Sequence, residues 1–167
     1  GLQSVKKIHN ISINFNSKLT NVNFASQLNT LSGILLLENN SINEINVFSQ
    51  LDSIKGGLTV SNLNNAGITI QEFLPTLTYF EGGLKLTQVT ATDLPFLDGK
   101  SVINGQLILQ NITSLNHINF LNNLDSVLGN FTLSLQVKSL QSLSSLQKIN
   151  GSFAINNCDS IQTLKGL

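Results

Sequence analysis

A seven-residue unit, apolar-x-Gly-x-apolar-x-apolar, recurs along this chain and limits what it can fold into. It occupies residues 31–37, 54–60, 80–86, 103–109, 127–133 and 149–155. Its glycines are Gly33, Gly56, Gly82, Gly105, Gly129 and Gly151, spaced 23, 26, 23, 24 and 22 residues apart. A degenerate first copy, Ile8 to Ile13, is shifted by one residue. Self-similarity at such a period marks a solenoid or array, in which each unit buries its apolar face only against its neighbours.

Each unit has a second half in which apolar residues fall three apart. Examples are Ile42, Ile45, Phe48, Leu51 and Ile54, then Leu115, Ile118, Leu121, Leu124 and Val127. The series Leu140, Leu143, Leu146 and Ile149 repeats it. An α-helical stripe mixes spacings of three and four. Strict threes with Asn and Ser between them fit the short strands and corners of a coiled solenoid. The expectation is therefore an all-β, parallel β-solenoid of about seven coils, each of 22–26 residues, within the leucine-rich-repeat range. Residues 1–167 form a single solenoid segment.

The stretch after each Gly alternates with period two, as a strand does. Counting from the Gly, offsets two and four point inward, as in Leu107 and Leu109 or Phe131 and Leu133. Offset six holds Asn39, Asn62, Gln88, Asn111, Leu135 and Asn157. Parity places these inward too, so Asn39, Asn62, Gln88, Asn111 and Asn157 are expected to form a structural amide ladder serving the turns. A polar binding strip is the competing reading. The Gly permits positive φ or close approach of adjacent coils. Pro75 and Pro95 stay outside the Gly-led strands, as their missing N–H requires.

The Gly-led strand, the Asn after it and the Leu-x-x-Leu return resemble the receptor L-domain family. Residues 73–86, with Pro75, Phe80, Gly82, Gly83 and Leu86, look most like its fungal and protist cell-surface members. The resemblance spans essentially the whole chain and carries no catalytic motif. It implies a solenoid of parallel strands related to leucine-rich repeats, acting as an extracellular, non-enzymatic surface or ligand-binding module. The chain departs from the receptor pattern in lacking Cys-rich flanks: its one Cys is Cys158.

Composition narrows the partners. Nine Lys and no Arg balance nine acidic residues, for a net charge of zero, and only 11% of residues are charged. Nucleic-acid binding needs a basic footprint, usually with Arg. No apolar stretch reaches the roughly 18 residues of a membrane span. Residues 1–30 show no charged-then-apolar leader, and the chain reads as a processed product or a piece of something longer.

No nucleophile elbow, phosphate-binding loop or His-Glu-x-x-His occurs. His9 and His117 are expected several coils apart, which makes a shared metal site improbable. Cys158 has Asp159 beside it, and a reactive thiol needs a basic neighbour. Sugar cleavage on a solenoid needs two close carboxylates. Asp52 and Asp125 hold equivalent places three coils apart, too far for that. No cofactor, metal or catalytic residue is expected.

Five Asn-x-Ser/Thr sequons are present, at Asn10, Asn39, Asn111, Asn130 and Asn150. Such acceptors belong on the surface of a secreted protein. Asn130 and Asn10, at matching outward places, and Asn150, in a turn, are the leading glycosylation sites. Asn39 and Asn111 come second because the inward ladder claims them. The chain also begins and ends inside a unit, and a turn joining Gly151 to Asn10 of a following copy would span 26 residues (16 plus 10). It reads as one period of a longer array, as a subunit that stacks head to tail, or as a fragment whose caps lie elsewhere.

The sequence thus leads to an extracellular, cell-surface structural or adhesive glycoprotein, stacking end to end into filaments. Its partners are other copies, or other extracellular proteins or glycans. A ligand-binding receptor ectodomain is the alternative, and an enzyme comes third.

Overall fold

The structure, a computed structural model, describes residues 2–38, 41, 42, 48–63, 69–165 and 167. Each coil contributes a short strand, a Gly turn and a longer strand. The short strands are β1 (Lys7–Ile8), β3 (Thr30–Leu31), β5 (Ser53–Ile54), β7 (Tyr79–Phe80), β9 (Val102–Ile103), β11 (Ser126–Val127) and β13 (Lys148–Ile149). The longer ones are β2 (Ile11–Asn14), β4 (Ile34–Glu38), β6 (Gly57–Ser61), β8 (Gly83–Thr90), β10 (Leu107–Thr113), β12 (Phe131–Ser134) and β14 (Phe153–Ile155). The longer strands form one seven-stranded sheet in chain order, every pair parallel. This is the parallel β-solenoid that the repeat predicts.

Register lines up the repeat. Ile11, Leu35, Leu58, Leu84, Leu107, Phe131 and Phe153 are successive partners across the sheet. Leu35, Leu84, Leu107 and Phe131 are fully buried, and so are Leu37, Leu86, Leu109 and Leu133 two residues on. The same register pairs His9 with Gly33, so the first copy is indeed shifted by one residue. The turn joining Gly151 to that position in a following copy is then 25 residues rather than 26.

The Gly position is set by spacing between coils. A Cβ on Gly56 would lie 2.6 Å from Gly33 Cα, closer than atoms pack. Gly82 adds a φ of 89°, which other residues rarely adopt.

The second half of the coil differs from expectation. Three of its returns are 3-10 turns, Pro95–Leu97, Asn119–Leu121 and Gln141–Leu143, rather than short strands. A 3-10 helix has three residues per turn and eclipses every third side chain. Strict spacing of three therefore keeps Leu115, Ile118, Leu121 and Leu124 all buried on one side. Pro95 opens its turn where its missing N–H is not needed. One coil instead carries a short helix, α1 (Ile70–Phe73), held by a capping box between Thr69 and Glu72.

Candidate interaction surfaces

The offset-six residues do not point inward. Gln88, Asn111 and Asn157 are exposed and Asn62 is half-buried. Asn62, Gln88, Asn111 and Asn157 have φ of 57°, 52°, 51° and 50°. Phe15, at the same repeat position, has φ 57°. A left-handed residue, just past the strand at Phe15, Asn62 and Asn157 and inside β8 and β10 at Gln88 and Asn111, turns its own side chain out and resets the parity. The next residues, Val89 and Ile112, are then buried. Asn tolerates this backbone better than other non-Gly residues, which explains its recurrence without an inward ladder. Asn39 lies outside the described residues. Leu135, the exception, is buried and lacks the positive φ. There the Cys158 thiol sulfur accepts the Leu135 N–H at 3.4 Å.

Asn10, Asn111, Asn130 and Asn150 are all exposed. The reason for ranking Asn111 second, its inward orientation, therefore falls away. Asn10 and Asn130 also link coils: Asn10 Oδ1 accepts the Ile34 N–H at 2.7 Å, and Asn130 Oδ1 accepts the Ser152 N–H at 3.0 Å. Those two carbonyls fill the space beside Gly33 and Gly151.

Along the short strands a regular ladder runs between coils. The N–H groups of Ser32, Lys55 and Glu81 donate to Ile8, Leu31 and Ile54, and those of Leu128 and Asn150 to Ile103 and Val127. It breaks between β7 and β9, which belong to separate sheets. At the break Lys100 Nζ donates to the Phe80 carbonyl at 2.6 Å and lies 5.2 Å from the Tyr79 ring centre. Tyr79 donates its hydroxyl to Glu81 at 2.8 Å. That carboxylate raises the Tyr79 pKa above its ordinary value, through the hydrogen bond first and its charge second.

The outward face of the main sheet carries Ile34, 47% exposed. At the other end of the same strand Glu38 pairs with Lys85 at 3.4 Å across β6, where the Ser61 hydroxyl also donates to Glu38. Asp52 and Asp125 stand three coils apart, with Thr78 and Ser101 at the intervening places. His9 Nδ1 lies 3.0 Å from Ser32 Oγ, while His117 packs near Phe120. Among the described residues no three His, Cys, Asp or Glu side chains come together as metal ligands.

Among the described residues β14 pairs with β12 alone, and β2 with β4 alone. Beside Phe153 opens a recess of about 320 Å³ lined by Leu143, Leu146, Ile149, Phe153 and Leu167 together with Gln147 and Lys148. Phe153 is 39% exposed and touches Phe131 at 5.3 Å between ring centres. Beside β2 lies a wider recess lined by Asn14, Asn16, Asn21 and Asn23 together with Ile13 and Phe24. No helix among the described residues is long and apolar enough to cross a membrane. Compared with family models, curated proteins and solved structures, the chain matches none.

Proposed function

We propose that this chain belongs to an extracellular structural or adhesive glycoprotein, non-enzymatic, whose solenoids associate end to end. One observation carries this: the main sheet runs as one parallel ladder in which each coil buries its apolar row against the neighbouring coils. The resemblance to receptor L-domains supports the extracellular setting, and the exposed sequons support glycosylation at Asn10, Asn111, Asn130 and Asn150.

Sedimentation velocity of the protein carrying this chain tests the association. Assemblies that grow with concentration are expected, and Phe153→Lys should leave only the monomer. A wild-type protein that stays monomeric at all concentrations would refute it. Peptide mapping of secreted material checks the glycans; bare Asn10, Asn111, Asn130 and Asn150 would remove them from the account.

A ligand-binding ectodomain is the second reading, favoured by the exposed Ile34 and the Glu38–Lys85 pair on the outward face of the main sheet. Discrete particles that bind an extracellular partner, and lose it on Ile34→Lys, would put it first.

A further inference from the structure

We infer that the solenoid carries an interior seam between β7 and β9, latched by Lys100, where the short-strand side opens while the main sheet holds as the hinge. The seam lies well inside the stack, with paired short strands on both sides of it.

The ladder between short strands marks the place. At every other boundary three N–H groups cross. Asn29 and Thr30 donate to Lys6 O and Ser32 to Ile8 O, just as Asp125 and Ser126 donate to Ser101 O and Leu128 to Ile103 O. At the seam the same places are held by Ser101, Val102 and Asn104. Among the described residues, none of their N–H groups donates to the preceding coil. On this side the Lys100 ammonium supplies the polar link, to the Phe80 carbonyl at 2.6 Å.

Lys100 stands where the other coils place leucine. Each return ends on a residue whose N–H bonds three residues back: Leu28 to Ala25 O, Leu51 to Phe48 O, Leu77 to Leu74 O, Leu124 to Leu121 O and Leu146 to Leu143 O. Leu28, Leu51 and Leu124 are fully buried there. Lys100 takes that place with its N–H on Leu97 O and is half-buried. An ammonium is costly to sink unpaired among leucines, so it leaves the row for the Phe80 carbonyl and the Tyr79 ring. The turn before it changes as well. Asp98 has ψ 131° and Gly99 φ 74°, a type II turn that needs the Gly. The matching Asn122 and Ser144 have ψ −28° and −18°.

Packing at the same boundary is incomplete. Between the two returns lies a hollow of about 60 Å³ lined by Leu74, Pro75, Leu77, Pro95 and Phe96. On its wall Gln71 Oε1 is buried without a hydrogen-bond partner, although Gln71 Nε2 donates to Asp93 O. The main sheet does the opposite. β8 and β10 share its longest register, from Leu84 with Leu107 to Thr90 with Thr113. A boundary closed along one side and unbonded along the other gives way as a wedge, by local opening rather than global unfolding.

Hydrogen exchange reads the seam at matched positions. Leu84 donates its N–H to Gln106 O across it, and Leu107 donates to Asn130 O across the next boundary, both at 2.8 Å. Exchange is followed in the protein carrying this chain, with and without low urea, in wild type, Lys100→Ala and Lys100→Met. Leu84 should be less protected than Leu107, through opening that low urea does not speed. Both variants should lower protection at Leu84 by a further factor of about ten, the worth of a hydrogen bond from a charged donor, and leave Leu107 unchanged.

Equal protection of Leu84 and Leu107 in wild type would overturn the seam, and that comparison stands even where a variant fails to fold. Faster exchange in Lys100→Ala with wild-type exchange in Lys100→Met would overturn the ammonium as the latch. Equal acceleration at both amides in the variants would mean a global loss of stability and would also overturn the latch.

Discussion

Phe131 and Phe153 occupy the same place in successive coils, are register partners and touch. One is fully buried and the other is 39% exposed. The difference is not in the sequence unit, since both follow a Gly at the same offset. It lies in the pairing: among the described residues β12 has a partner strand on each side and β14 on one. In a solenoid the repeat decides which residues face inward, and stacking decides whether they are buried. At the other end the return between β2 and β3 buries Val22, Ala25 and Leu28, as the returns of the following coils bury Phe48 and Leu51 or Leu74 and Leu77, with an Asn-rich rim beside it. The two ends are unlike, and the one over β14 has the more apolar surface in water.

The sharpest way to break this comparison is to truncate the two rings. Phe131→Ala should cost about 3–5 kcal/mol, as buried Phe truncations do. Phe153→Ala in dilute monomer should cost well under half of that. Urea melts of both variants measure it, and equal losses would mean that the end is covered. Glycine substitutions give a smaller effect of the same kind. Gly56→Ala drives a Cβ against Gly33 in the middle of the stack and should cost about 1–3 kcal/mol as overpacking. Gly151→Ala meets Gly129 and Asn130, yet β14 is free to shift outward, so the loss should be smaller in the same melts.

Next come the amide links. Asn10→Ala and Asn130→Ala each remove an acceptor from a backbone N–H of the following coil, for about 1 kcal/mol. Amide exchange should quicken at Ser152 in Asn130→Ala and at Ile34 in Asn10→Ala, since each loses its acceptor.

How much of this was legible follows from what each residue does. The Gly spacing gives the number of strands and their order, because Gly is needed wherever one coil crosses close to the last. Period-two alternation gives Leu107, Leu109 and Leu133 as inward. It misplaces Gln88, Asn111 and Asn157, because a single left-handed residue reverses the parity. The signal was present: Asn at one fixed turn position favours that backbone as much as it favours an inward amide. Spacing of three points to a 3-10 return as directly as 3.6 points to an α-helix, but short strands are equally compatible with a run of apolar residues. The capping box of Thr69 and Glu72 is readable in sequence as a Thr followed three residues later by Glu. The break between β7 and β9 is not, since Lys100 replaces a backbone donor with a side chain.

The smallest expected effect is on pH. Hydrogen bonds from the Thr69 backbone and side chain lower the Glu72 pKa below its ordinary value. A carboxylate with a depressed folded pKa stabilises above its unfolded pKa, and that contribution disappears as pH falls through the folded value. Protection factors at Glu72 and Phe73, taken against the intrinsic exchange rate at each pH, should therefore fall on acidification below the ordinary carboxylate pKa, while those in β10 and β12 stay unchanged. Glu72→Gln should remove that acid dependence.

The most direct test of end-to-end association is electron microscopy of the native protein carrying this chain. End-to-end stacking predicts filaments in which each of the seven-stranded segments adds about 33 Å along the axis, at about 4.8 Å per strand. Discrete particles of fixed length at every concentration would contradict it.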